Sequence, residues 1–222
     1  MRLLVHVEGQ TEEQFVNQVL APYFYTRGFH AVFPRLIGNP RSRGGIRSWE
    51  MTKRDIRRHM YEDPNRIATT FVDYYGLPAT GGRAWPGRAA AAGLPFAERA
   101  AHVESAMLQD LSRDPGRFIP FVMMHEFEAV LFSDCDAFAR AIERPHLAPQ
   151  FQSIRDAFQT PEEINDSVEN APSRRIKRIV DRYEKPIFGA IAALKIGLER
   201  IRAECPHFNN WLNRLEALVE RP

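Results

Sequence analysis

The chain has 222 residues, of which 44% are apolar, and a formal net charge of +2. This length and composition fit one α/β domain with additions and a true hydrophobic core, and the nearly neutral charge does not by itself indicate a nucleic-acid-binding protein. The two cysteines, Cys135 and Cys205, lack metal-site spacing and form no disulfide framework. The N-terminus turns acidic too early for a signal peptide and no apolar run is long enough to span a membrane, so we expect a cytoplasmic protein without membrane contact.

The first predicted strand ends in a carboxylate. Residues 3–16 read LLVHVEGQTEEQFV, so an apolar run over about residues 2–8 stops at Glu8, and Thr11 then begins a helix. Strand ends of this kind carry the sites of α/β folds, and the N–H groups of the helix start suit phosphate. Glu8 is therefore a candidate metal ligand or acid. Glu12 is a candidate metal ligand, although the helix dipole alone also favours an acid there.

A second candidate acid follows the third predicted strand. The predicted elements up to it are a helix over about 11–27, a strand over 29–37 at the sheet edge because of Pro34, a loop over 38–47, a helix over 48–61 and a strand over 67–73. Asp73 ends that last strand, where it is either a site residue or a turn-forming aspartate.

The third candidate position follows a predicted strand over 118–124, which comes after a helix over about 97–113. His125 is either a phosphate contact or proton shuttle, or a buried, hydrogen-bonded histidine. If Glu126 begins a helix, Glu126 and Glu128 point to different faces, and only one of them is expected to contact an ion.

The strand–helix order predicts a mostly parallel sheet flanked by helices on both faces. Three strands ending in carboxylates would converge on one edge, and such a cluster persists when a hard divalent cation such as Mg²⁺ or Mn²⁺ neutralises it. Beyond residue 126 the pattern is helical, ending in an amphipathic helix over 208–220. We expect an α/β core over 1–135 with a helical C-terminal extension over 136–222 packed on it, or one single domain over 1–222.

Two basic segments, residues 35–60 and 173–185, accompany the acids. They would suit a phosphodiester substrate, with solvated helix faces as the alternative. The candidate nucleic-acid-binding residues are Arg41, Arg43, Arg47, Arg174 and Arg175, and Lys185 is a candidate phosphate or transition-state contact.

Five short motifs together resemble a known family. They are VEGQTE at Val7–Glu12, DYYGLP at Asp73–Pro78, HEFEA at His125–Ala129, APSRR at Ala171–Arg175 and CPHFNNW at Cys205–Trp211. Through them the chain resembles, over nearly its full length, a bacterial family of unknown function with Toprim-like features. The first motif is similar to that of the Toprim domains of topoisomerases, primases and OLD-type nucleases.

The resemblance implies a Toprim-like fold and hydrolysis of DNA or RNA that depends on Mg²⁺ or Mn²⁺. It implies that Glu8 and Asp73 hold the ions, assisted by Glu126 or Glu128. It also implies a separately encoded ATPase as partner, in bacterial defence against phages. Typical Toprim domains have a second aspartate two positions after the first, where this chain has Tyr75. We therefore expect Glu126 to compensate as a catalytic residue.

Two other functions use the same residues. A non-catalytic adaptor would bind nucleic acid or a partner ATPase, the missing second aspartate having removed catalysis. A small-molecule phosphohydrolase or nucleotidyl transferase would turn over nucleotides without cleaving a polymer. The sequence has no phosphate-binding loop of the G-x-x-x-x-G-K-[ST] type and no grouping of cysteines and histidines for zinc.

Overall fold

The computed structural model describes residues 1–38, 45–111, 116–165 and 168–219, without the side chains of residues 168, 186 and 187. Within these residues the strands form one five-stranded sheet in which β2, β1, β3 and β4 lie side by side and β5 also pairs with β3. All the pairings are parallel. The strands are β1 (Arg2–Val7), β2 (Ala31–Leu36), β3 (Arg66–Asp73), β4 (Phe118–Ile119) and β5 (Val122–Met123). The predicted α/β class, the parallel sheet and the edge position of the strand with Pro34 are confirmed.

The register brings the ends of β1 and β3 together. Arg2 pairs with Arg66 and Val7 pairs with Phe71, so both strands run in step to the same edge of the sheet. Both strands are buried from their second residue onward and carry mostly apolar side chains on their two faces, as expected for the centre of a parallel sheet.

The last predicted strand, over 118–124, is divided into β4 and β5. Pro120 has no N–H to donate to the neighbouring strand. At the next residue, Phe121, the hydroxyl of Thr70 on β3 takes the place of a backbone hydrogen-bond partner. The hydroxyl of Thr70 donates to the carbonyl of Phe121 and accepts its N–H, both at 2.9 Å. This bond keeps β5 beside β3 up to Asp73.

The described helices differ from the predicted ones chiefly where proline or glycine interrupts them. They are α1 (Gln10–Phe15), α2 (Ala21–Tyr25), α3 (Trp49–Glu62), α4 (Arg88–Ala91), α5 (Phe96–Leu111), α6 (Cys135–Ala141), α7 (Ala148–Arg155), α8 (Pro172–Ile179), α9 (Lys185–Ile196), α10 (Leu198–Glu204) and α11 (Pro206–Glu216). A π-helical stretch, Val16–Leu20, joins α1 to α2, because Pro22 cannot donate and its ring crowds the carbonyl four residues earlier. Gly197, with φ of 86°, separates α9 from α10.

Each face of the sheet has its own hydrophobic cluster. Alternate residues of β3 point to opposite faces: Ile67 and Phe71 join one cluster with α1 and the C-terminal helices, while Ala68 and Val72 join the other with α3 and α5. The sheet is therefore covered on both sides and offers its carboxyl edge for a site.

The C-terminal helix α11 packs directly on the sheet. The indole of Trp211 stacks on Phe121 with ring centroids 4.4 Å apart, and its N–H donates to the Thr69 hydroxyl at 2.9 Å. Residues from both predicted parts of the chain thus share one core. Within the described part of the chain, every helix is too short or too polar to cross a membrane.

Candidate functional site

Two acids lie side by side at the carboxyl edge of the sheet. Glu8 directly follows β1 and Asp73 ends β3, and the backbone N–H of Asp73 donates to Oε2 of Glu8 at 3.3 Å. This contact follows from the parallel register of β1 and β3, which brings both strand ends to the same point.

The first turn of α1 brings a third acid to the same edge. Gly9, in the turn between β1 and α1, donates its N–H to Oε2 of Glu12 at 2.9 Å. The Glu12 side chain therefore folds back toward Glu8, and only 6% of Glu12 is exposed.

The segment after β5 contacts the same edge. The N–H of Phe127 donates to Oδ1 of Asp73 at 3.1 Å, and Oε2 of Glu126 accepts the N–H of Ser173, in the first turn of α8, at 3.0 Å. Glu126 precedes a 3₁₀-helix (Phe127–Ser133). The four acids Glu8, Glu12, Asp73 and Glu126 therefore each use one carboxylate oxygen to hold a backbone N–H.

Glu128 is fully buried and paired with a cation. The Lys185 ammonium, at the first residue of α9, lies 2.7 Å from Oε2 of Glu128. Among the described residues, Oε1 of Glu128 has no hydrogen-bond partner. Glu128 and Lys185 therefore belong to the site as an ion pair.

Burial and mutual repulsion make the carboxylates resist ionisation. Burial, followed by the charge of Glu12, raises the pKa of Glu8 to about 7. Burial, then Glu12 and Glu8, raises the pKa of Asp73 well above its usual range. Burial also raises the pKa of Glu128 to about 7, although Lys185 opposes the shift. Burial alone would lower the pKa of Lys185, but Glu128, Asp73 and Glu126 raise it above its ordinary value, so this ammonium stays charged.

Gly76 forms the wall of the site next to Glu8. A methyl group at Gly76 would lie 2.7 Å from Oε2 and 3.0 Å from Oε1 of Glu8, closer than the van der Waals radii allow. The glycine of the DYYGLP motif therefore leaves the space that the Glu8 carboxylate occupies.

His125 turns the chain sharply before Glu126, a feature that the sequence did not predict. Its φ is 68°, and the N–H of Glu126 donates to the carbonyl of Met124 at 3.1 Å. A bond across one positive-φ residue defines the rare, strained form of the γ-turn. Sequence offers no signal for it, because only a few per cent of non-glycine residues adopt a positive φ.

The His125 ring is buried between aromatic rings. Tyr75 and Phe96 lie 5.2 and 5.3 Å from it, and burial lowers its pKa to about 4. Neither ring nitrogen has a hydrogen-bond partner among the described residues. His125 is thus buried, as one of the two alternatives from the sequence expected, but its ring lacks the hydrogen bond of that alternative among the described residues.

The candidate phosphate-binding arginines that the structure describes lie in different parts of the chain. Arg41 and Arg43 lie outside the described residues. Arg47 lies 3.7 Å from Asp55, Arg174 is exposed, and Nε of Arg175 donates to the carbonyl of Asn170 at 2.7 Å. The acids come together in the fold, whereas the three described candidates belong to two parts of the chain: Arg47 precedes α3, and Arg174 and Arg175 belong to α8.

In the described ranges, no three His, Cys, Asp or Glu side chains are already arranged to hold one metal ion. The carboxylates instead face backbone N–H groups and the Lys185 ammonium. An ion at this edge would therefore require them to turn toward one another.

Comparison with known proteins gives a family and one structural similarity. The solved C-terminal region of the Xanthomonas campestris pv. campestris OLD protein matches with 15% identity and a TM-score of 0.45, covering 98% of this chain and 95% of that chain. No curated protein matches the chain. The sequence profile of the family described as "Domain of unknown function (DUF4276)" matches residues 7–216, and the chain belongs to this family.

Proposed function

We propose that this protein is a Toprim-like phosphodiesterase that cleaves nucleic acid with Mg²⁺ or Mn²⁺. The observation that carries the proposal is the contact between Glu8 and Asp73 at the ends of adjacent parallel strands, with Glu12, Glu126 and Glu128 gathered around them. So many carboxylates in one buried place repel one another, and a divalent cation relieves that repulsion.

The oxygen donors at this edge of the sheet are chemically suited to such an ion. Its donors are carboxylate oxygens, which hard cations prefer. Oε1 of Glu128 is buried and has no hydrogen-bond partner in the described part of the chain. Glu8 and Asp73 would hold the ion, with Glu12, Glu126 or Glu128 completing the set.

Each residue would have a distinct task. A divalent ion at this edge would neutralise the carboxylates and activate water for attack on phosphorus. Lys185 would move from Glu128 to a phosphate oxygen once the ion takes over the neutralisation of Glu128. The strained turn at His125 would hold Glu126 at the edge, in the place of the aspartate that Tyr75 replaces.

The decisive measurement is the cleavage of plasmid DNA and of a structured RNA with Mn²⁺ or Mg²⁺. We expect cleavage by the wild type, loss of cleavage by Glu8→Gln, and a decrease of at least about 100-fold for Glu126→Gln with little change in melting temperature. Glu98→Gln, an exposed acid on α5, is the matched control and should retain full activity. Activity that survives Glu8→Gln would contradict the proposal.

The pH dependence of stability provides a second test. Because the folded-state pKa of Glu8 is raised from 4.5 to about 7, the protonated carboxyl favours folding. This contribution to the free energy of unfolding is fully present below the ordinary pKa of 4.5 and is lost as pH rises through about 7. We expect the melting temperature of the metal-free protein to fall by a few degrees between pH 5 and pH 8, and less so in Glu8→Gln.

Added Mn²⁺ should recover the melting temperature of the wild type at pH 8 and leave that of Glu8→Gln unchanged. Lys185 already neutralises Glu128 without any ion, an observation that favours the adaptor as the second candidate. Nucleic-acid binding without cleavage and without stabilisation by Mn²⁺ would establish the adaptor instead.

A further inference from the structure

A cavity beside the acidic edge contains a cluster of arginines. It has a volume of about 440 Å³ and lies between the carboxyl end of β2 and helix α3. Arg35, Arg47, Arg58 and Asp55 line it, with His59 in its wall, and we call it the arginine pocket. The N–H of Ile37 donates to the carbonyl of Val7 at 2.9 Å, so the pocket borders the strand end that carries Glu8.

Two stacked histidines make the inner wall of the arginine pocket. The carbonyl of Thr69 can only accept, so Nδ1 of His6, 3.1 Å away, donates to it. The other nitrogen of His6, Nε2, then accepts from Nδ1 of His59 at 3.1 Å. Nε2 of His59 in turn accepts from the Arg58 guanidinium at 3.4 Å. This chain of bonds ties Arg58 to the central strands of the sheet.

The positive charge of the arginine pocket comes from its arginines and not from its histidines. Burial, then the charge of His59, lowers the pKa of His6 to about 3, and burial, then Arg58, lowers the pKa of His59. Both rings are therefore neutral at pH 7. Other charged groups around His59 are Arg35 on β2, and Asp55 and Glu62 on α3.

The arginine pocket carries an excess of positive charge. Three guanidinium groups line it against the carboxylates of Asp55 and Glu13. Asp55 lies between two of the arginines, 3.7 Å from Arg47 and 3.5 Å from Arg58. These distances are longer than those of a direct charge-assisted hydrogen bond, so both arginines keep donors for a ligand. A concave site of several guanidinium groups is suited to the planar, bidentate recognition of phosphate oxygens.

We propose that the arginine pocket binds a phosphate group of the substrate strand next to the one that is cleaved. The inference rests on the proposed function, because it takes the acidic edge beside Glu8 as the place of cleavage. The phosphate has two sources, an internal phosphodiester of a continuous strand or a terminal phosphate monoester, and both offer the same oxygens to Arg35, Arg47 and Arg58.

The test uses the full chain without divalent ions, so that binding is separated from cleavage. The ring ¹⁵N resonances of His59 report on the pocket wall. The probes are inorganic phosphate and three single-stranded oligonucleotides of one sequence, which carry no terminal phosphate, a 5′-phosphate or a 3′-phosphate. We expect saturable shifts, with at least about tenfold weaker binding in the Arg35→Gln/Arg58→Gln double variant.

Arg54→Gln is the matched control, because Arg54 is an exposed arginine of the same helix that does not line this pocket. It should bind like the wild type. Tighter binding of one phosphorylated oligonucleotide would identify a terminal phosphate, and equal binding of all three would identify an internal one. If the double variant does not fold, Arg35→Gln alone, at an exposed position, should still weaken binding severalfold.

The absence of any saturable shift, or equal binding by the double variant and Arg54→Gln, would overturn the proposal. Glu8→Gln separates this result from a failure of the proposed function. In that variant, cleavage should disappear while the His59 resonances still respond to the probes.

Discussion

Gly76 limits where the Glu8 carboxylate can lie. The three atoms nearest to a Cβ at this position all belong to the end of the Glu8 side chain, which can move aside without disturbing the backbone. We expect Gly76→Ala to leave the free energy of unfolding within about 1 kcal/mol of the wild type. Cleavage should nevertheless decrease at least about 100-fold, because misplacing a reacting group by an ångström has an effect of that size.

Gly82→Ala is the control for Gly76→Ala. Gly82 lies in the same loop, and a methyl group there would have no neighbour within 4 Å. Both variants change the unfolded chain in the same way, so their comparison isolates the contact with Glu8. Equal activity of the two would mean that the position of the Glu8 carboxylate does not matter for the reaction.

His125 gives a prediction about backbone strain. With φ of 68°, an alanine at this position would retain the strain of about 1–2 kcal/mol that a glycine avoids. Both replacements lose the ring contacts, so we expect His125→Gly to be more stable than His125→Ala by about 1 kcal/mol. Urea denaturation measures the difference, and the usual order, with alanine more stable, would show that the turn relaxes when the ring is removed.

Among the elements, α9, which begins at Lys185, packs closely on α1. A Cβ at Gly189 would lie 2.8 Å from Cγ2 of Thr11 and 3.4 Å from the Phe127 ring. Thr11 is itself buried. We expect Gly189→Ala to force the two helices apart and to destabilise the fold by about 1–3 kcal/mol.

The Thr11→Ser substitution removes the methyl group that Gly189→Ala would meet. The double variant Thr11→Ser/Gly189→Ala should therefore recover most of the lost free energy of unfolding, as a double-mutant cycle would show. Strict additivity of the two changes would contradict this contact.

The elements themselves could largely be predicted from the sequence, since their signals are local. The ends of β1 and β3 followed from apolar runs that stop at Glu8 and Asp73. The division of the last strand was missed although Pro120 signals it, because the Thr70 hydroxyl that bridges the gap belongs to another strand. The pair of Glu128 and Lys185 joins two helices, and no local pattern specifies which acid a distant lysine meets.

The helix α11 connects the two sides of the molecule, because it packs on one face of the sheet and also contacts α5, which covers the other face. His207 donates its backbone N–H to Glu162, and its ring lies 2.8 Å from Glu104 on α5, which also accepts the N–H of Val122. Burial opposes the charge of His207, but Glu104 raises its pKa above the ordinary value of 6.5.

This linkage predicts a pH-dependent stability. The charged His207 ring stabilises the folded protein fully below pH 6.5, and this stabilisation is lost as pH rises through the higher folded-state pKa. We expect His207→Gln to cost about 1.5–3 kcal/mol at pH 6 and much less at pH 9. Denaturant titrations at both values test this expectation, and an equal cost would mean that the imidazole is not charged in the folded protein.

The bond between Trp211 and Thr69 joins residues 142 positions apart, which has a consequence for the order of folding. Closing so large a loop costs entropy before any contact is gained, so β1 and β3 can pair long before α11 arrives. Until then the parts of Phe71 and Phe121 that Trp211 covers face water, and an intermediate in that state would be prone to self-association. A chaperone that shields aromatic surface should therefore raise the yield of refolding most strongly during the interval before the fluorescence of Trp211 changes.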